Sequence, residues 1–275
     1  MFDTHCHLNL DPLFDVHETV IKDARTAGIS HILIPSTNWV NAKRALEIVE
    51  NFKNTYMAVG IHPTEKLESI NLESVATRIE EFVKSNFKVI AIGEIGLDFY
   101  HTTRSIDASG PAIQKQFFES QLRLAVKLSL PVIIHNRLAT EDVIDILTSI
   151  GAENFSGKAV FHCCPPDETL LEFAKRYSIY IGVDGDVTYD TEKQNFIKRV
   201  PSELLLLETD SPYLTPEPAR SEKRFPNEPS NLVHTAECVS SLRGEDVVKS
   251  TTDNALRLFS VPEKITSLHS PISNQ

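Results

Sequence analysis

The sequence predicts an α/β protein folded as a single (β/α)8 barrel of the TIM type. Three observations lead there. Eight short apolar runs recur along the chain, separated by longer amphipathic segments. Eight strand–helix units in 275 residues match the size of such a barrel. The first run leads into His5-Cys6-His7 rather than the glycine-rich phosphate turn of the competing doubly wound sheet.

The apolar runs lie at 2–5, 32–35, 57–60, 89–93, 132–135, 159–162, 179–183 and 204–207. Several are continuous rather than alternating, as in Val-Ile-Ala-Ile-Gly at 89–93. Strands of parallel sheets covered by helices read this way. Between them, Leu72, Val75, Ile79, Phe82 and Val83 share one helical face, as do Phe118, Leu122, Ala125 and Leu128. Gly28 and Gly151 stand where helices should end, and Pro131 stops a helix just before the fifth strand. After the eighth strand, residues 215–230 form a proline-rich loop with Arg220, Lys223 and Arg224. Its place on the C-terminal face suits it to shape a site. Residues 1–260 are expected to form one domain, and 261–275, poor in apolar positions, a loose tail.

Composition narrows the function. With 41% hydrophobic and 24% charged residues, the chain is neither disordered nor a disulfide mini-protein. Its net charge of −11 argues against a long electrostatic groove for nucleic acid, so any such contact must be local. Cys6, Cys163, Cys164 and Cys238 form neither a disulfide framework nor a zinc ribbon, which fits reduced thiols in the cytoplasm. No leader-like N-terminus and no membrane-length apolar run are visible, and no obligate protein partner is expected.

Catalytic groups of this barrel stand at the C-terminal ends of strands. Those ends carry His5 and His7 (first strand), Glu94 (fourth), His135 (fifth), His162 (sixth) and Asp210 (eighth). His5 and His7, two apart on an extended strand, point the same way. A lone histidine at a strand end is commonly structural, but coincidence at five ends is a poor explanation. Four imidazoles and two carboxylates gathered at one mouth fit divalent metal: Zn, Mn, Fe or Co, with Mg less suited to so many imidazoles. Six ligands exceed one tetrahedral ion and suit two metal ions with a bridging carboxylate. A water held between such ions becomes hydroxide near neutral pH. His62, after the third strand, and Arg137, two residues past His135, are candidate phosphate contacts. His17, His31, His234 and His269 read as structural or exposed, and His101 has no assigned role.

The motifs resemble the TatD family of metal-dependent hydrolases, within the amidohydrolase superfamily. They are Phe-Asp-Thr-His-Cys-His-Leu at 2–8, Val-Gly-Ile-His-Pro at 59–63 and, most specific, Ala-Ile-Gly-Glu-Ile-Gly-Leu-Asp-Phe-Tyr at 91–100. Leu-Pro-Val-Ile-Ile-His-Asn-Arg at 130–137, Glu-Thr-Asp-Ser-Pro-Tyr-Leu at 208–214, Asn-Glu-Pro at 227–229 and Thr-Thr-Asp-Asn-Ala-Leu-Arg-Leu-Phe at 251–259 follow in order. The resemblance implies a two-metal barrel with His5, His7, Glu94, His135, His162 and Asp210 as ligands and Glu94 bridging. It also implies phosphate contacts at His62 and Arg137, and a further arginine at Arg220 or Arg224. The chain departs from the family at Cys163-Cys164-Pro165-Pro166, where an aromatic, a small residue and glycine are usual.

The expected activity, carried by the resemblance, is a phosphodiesterase acting on DNA ends: a 3′–5′ exonuclease on single-stranded or frayed DNA, with Asp210 and Glu94 catalytic. The ligands alone equally serve a deacylase, such as one acting on D-aminoacyl-tRNA, or a small-molecule phosphodiesterase. A metal-stabilised scaffold without turnover is the non-enzymatic alternative.

Overall fold

The computed structural model describes residues 1–102 and 109–261. Eight parallel strands form one sheet in sequential order: β1 Phe2–Asp3, β2 His31–Pro35, β3 Thr55–Val59, β4 Val89–Asp98, β5 Val132–Arg137, β6 Ala159–Phe161, β7 Tyr180–Val183 and β8 Leu205–Leu207. The first and last strands are joined by backbone bonds beyond the ladder. Thr4 N donates to Leu207 O at 3.2 Å, Asp210 N to His5 O at 2.9 Å and His7 N to Ser211 O at 2.7 Å. The predicted (β/α)8 architecture is therefore the observed one.

The helices between and after the strands are α1 His17–Thr26, α2 Trp39–Asn51, α3 Leu72–Ser85, the single turn α4 Phe99–Thr102, α5 Pro111–Leu128, α6 Thr140–Ile150, α7 Glu168–Tyr177, α8 Thr191–Ile197, α9 Leu232–Arg243 and α10 Val248–Leu258. Their starts follow local chemistry. Asn38, Asn71, Asp167 and Asp190 each accept hydrogen bonds from the first backbone N–H groups of the helix that follows. Gly28, with φ +87°, lies just past α1, and Gly151 ends α6.

Strand periodicity divides the core in two. Ile32, Ile34, Met57, Ile92, Val132, Ile134, Phe161, Ile181 and Leu205 pack outward with the helices. The alternate residues Leu33, Tyr56, Ala91, Ile133, Val160, Tyr180 and Leu206 form a separate inner set with Phe2. Ala255, Leu258, Phe259 and Val261, from α10 and just beyond, join that inner set and plug the barrel. The expected tail lies outside the described residues except for Val261, which is buried.

Candidate metal centre

The inner face continues past the strands into the site. Two residues beyond inward Ile133, Val160 and Leu206 stand His135, His162 and Glu208, and Asp210 follows by the same step. Gly182 makes room for them: a Cβ there would lie 2.6 Å from the Glu208 carboxylate oxygens. Glu94 arrives differently. The β4–β5 register runs Ile92↔Val132 and then Ile95↔Ile134, so β4 carries one extra residue at Gly93-Glu94. That bulge turns Glu94 into the mouth, and the strand then continues to Asp98. Gly96 lets it do so: with φ +154°, its Cβ would lie 1.9 Å from His135 O, a position closed to any side chain.

Glu94 is the centre of the cluster. Its Oε2 lies 3.3 Å from His5 Nε2 and 3.6 Å from His7 Nε2. Its Oε1 lies 2.8 Å from His135 Nδ1, 3.3 Å from His62 Nε2 and 3.5 Å from His162 Nε2. One carboxylate thus faces two groups of imidazoles, one on each oxygen. Asp210 Oδ1 completes the first group, 3.7 Å from His5 Nε2 and 3.5 Å from His7 Nε2. The His5 and His162 rings stack at 3.5 Å. The structure therefore brings together His5, His7, Glu94, His135, His162 and Asp210. His5 and His7 meet in the segment after β1 rather than on the strand, with their Nε2 atoms 3.1 Å apart.

The donor set fits divalent cations. Three groups at the mouth each have ligand atoms within 4.8 Å of one another: His5–His7–Asp210 and His5–His162–Glu208, which share His5, and His62–Glu94–His135. Among the described residues, the buried Nδ1 atoms of His5 and His7 have no hydrogen-bond partner, while both Nε2 atoms crowd the same carboxylates. Burial, and then His162, hold His5 below the usual imidazole range, and burial does the same to His62. At these two rings burial thus favours the neutral form that a cation binds, whereas at His135 burial is outweighed by Asp98 and Glu94, which hold that ring above the usual range. Glu94 is held ionised, well below the usual carboxylate range. Burial opposes this, but His62, His162 and His5 together outweigh it.

A second tier of groups had no role in the sequence analysis. Glu208 Oε1 accepts from His162 Nδ1 at 3.0 Å and from Cys163 N at 2.6 Å. Burial disfavours the His162 imidazolium, yet Glu208 and Glu94 raise it to about 10. Asp98 Oδ2 lies 3.1 Å from His135 Nε2 and 2.8 Å from His101 Nδ1, which gives His101 a partner. Lys193, 2% exposed, reaches Asp184 at 3.3 Å and Asp186 at 2.6 Å in the same wall. Glu208 was detectable from strand periodicity. Lys193 was not, since it sits on α8.

His7, Glu94, Asp98, His135, His162 and Asp210 line a cleft of about 920 Å³ that also takes in Arg137, Leu138, Tyr213 and Leu214. Arg137 is exposed there, its guanidinium 3.9 Å over the Tyr100 ring. His62 also lines the cleft, its Nε2 3.3 Å from Glu94 Oε1. Arg220 does not line the cleft; it rests 4.3 Å over Tyr189, and Arg224 pairs with Glu222 at 2.8 Å on the surface.

A parallel barrel with imidazoles and carboxylates converging at its C-terminal mouth defines a metal-dependent hydrolase. Residues 2–260 match the family model described as TatD related DNase. The chain therefore belongs to the TatD-related DNase family. It is 36% identical over 266 residues to the uncharacterized metal-dependent hydrolase YabD of Bacillus subtilis (strain 168), covering 95% of this chain and 99% of that one. It is 35% identical over 267 residues to the 3′-5′ ssDNA/RNA exonuclease TatD of Erwinia amylovora, covering 93% and 97%. The crystal structure of YJJV, a TatD homolog from Escherichia coli K12, superposes with a TM-score of 0.83 at 28% identity, covering 95% and 98%. Among the described residues no helix is long and apolar enough to cross a membrane.

Proposed function

We propose that this chain is a 3′–5′ exonuclease on single-stranded or frayed DNA ends. The observation that carries this is Glu94, whose two oxygens face separate imidazole groups at the mouth of the cleft. The exonuclease named among its relatives, similar over nearly its whole length, favours phosphodiester bonds as substrate.

His5, His7 and Asp210 would hold one divalent ion and His135 and His162 the other, with Glu94 between. Bound there, the ions would supply Lewis acidity and an activated water. The protein's own groups do the rest. Asp210, its side chain 13% exposed, orients the attacking water and accepts its proton. Arg137, presented on Tyr100, offers a planar fork of donors to a phosphate oxygen, and His62 adds a second donor. Glu208 and Asp98 fix the His162 and His135 rings. An acidic chain whose cleft is lined by few cationic groups, Arg137 and Lys193 among them, suits a strand end better than a long bound tract.

The test is hydrolysis of end-labelled single-stranded DNA by metal-analysed protein, with and without chelator. Chelation should abolish release of nucleotides from the 3′ end. Glu94→Gln and Asp210→Asn should each lower turnover by at least about 10²-fold without unfolding the barrel. Near-wild-type turnover in either variant would remove that residue from the mechanism. Activity confined to aminoacyl esters would replace the nuclease reading with the deacylase one.

A further inference from the structure

Resting on the nuclease reading, we propose that Tyr213 is the platform on which the base of the terminal nucleotide stacks. Tyr213 and Leu138 are the large apolar side chains that both line the cleft and stand mostly exposed, at 55% and 75%. Only the tyrosine offers a flat π-face. It belongs to a segment that is otherwise well anchored: Ser211 and Thr215 on either side are buried. Its backbone is pinned at both ends of the residue. Tyr213 N donates to Asp210 O at 2.8 Å, and Tyr213 O accepts from Asn227 Nδ2 at 2.7 Å. The ring is thus presented by a fixed main chain, so little order has to be gained on binding.

Its position relative to the chemistry is the second observation. The ring meets His7 edge-on, with centroids 6.4 Å apart and planes at 71°. Tyr213 follows Asp210 by three residues in the same loop. A base stacked on its open face would hold its own sugar and phosphate beside the Glu94–Asp210 cluster. The acidic surface gives a strand end no general attraction, so affinity must come from short-range contacts. Stacking on an aromatic face is such a contact, and it tolerates any base.

The experiment uses the full chain and two labelled single strands that differ only in the last 3′ nucleotide, intact in one and abasic in the other. Wild-type protein should prefer the intact end in kcat/KM by roughly 5- to 160-fold, the range of one base–aromatic stack. Tyr213→Phe should keep that preference, and Tyr213→Ala should bring the ratio of the two substrates close to one. Thermal melting of each variant is followed alongside; if Tyr213→Ala does not fold, Tyr213→Leu, which keeps bulk but no ring, should collapse the ratio in its place. A folded ring-less variant that retains the preference, a Tyr213→Phe variant that loses it, or a wild-type enzyme that cleaves both ends equally would overturn the stacking site while leaving the nuclease reading standing. A metal-loaded wild-type enzyme that cleaves neither strand would overturn the nuclease reading, and the site with it.

Discussion

At the scale of single residues, the site is a problem in burying charge. A lone carboxylate taken out of water costs several kcal/mol, and Glu94 is 3% exposed. It stays ionised because five imidazoles approach its two oxygens. The same logic, reversed, governs His31 far from the site. Its ring packs near Phe2 and Tyr56, and its Nδ1 lies 2.9 Å from Ser30 Oγ. Burial, then the positive charges of Arg25 and the amino terminus, lower it from 6.5 to about 4. The unfolded chain therefore takes up the proton first. The stability tied to a neutral His31 is complete above pH 6.5 and is lost as pH falls towards 4. Urea unfolding at pH 7 and pH 5 should show a larger loss for wild type than for His31→Phe. Equal losses would mean that another group sets this part of the acid response.

At the scale of elements, irregular backbone is held in place by buried amides. Gln114 and Gln121 lie two turns apart on the inner face of α5, both 1% exposed. Gln121 accepts from Ile61 N at 2.8 Å, next to His62, and Gln114 accepts from Asp98 N at 2.8 Å. One helix thus docks the segment after β3 and the end of β4. Asn227 does the same for the loop after β8. Its Nδ2 donates to Thr209 O at 3.0 Å and Tyr213 O at 2.7 Å, and its Oδ1 accepts from Glu228 N and Asn231 Nδ2. Asn227→Ala should lower stability by about 1–3 kcal/mol, since buried backbone carbonyls lose their donor. Chemical denaturation measures this; a change under a few tenths would show that water replaces the amide without loss.

At the scale of the whole molecule, the barrel has a reactive end and a plugged end. The plug is α10 with Phe259, whose ring packs 6.0 Å from that of Phe2 and is 2% exposed. Phe259→Ala should cost about 3–5 kcal/mol in urea unfolding, as expected of a buried ring with little room to collapse. It should spare the chemistry, because the plug joins the inner core set and lines no part of the cleft. A much smaller loss would mean that the barrel interior packs without it.

By itself the sequence determined the barrel and the six side chains at its mouth. Eight apolar runs set the strands, and period-two spacing carries His135, His162 and Asp210 inward from their ends. Motifs around those residues made the family legible. Only the tertiary structure decided how Glu94 turns inward through a bulge, that His62 joins the imidazole cluster, and that Arg220 rests on Tyr189 outside the cleft. It alone paired Glu208 with His162, and Lys193 with Asp184 and Asp186. The physical reason is that strand direction follows from local periodicity, whereas bulges, loop paths and contacts between distant segments depend on which surfaces the closed barrel brings together.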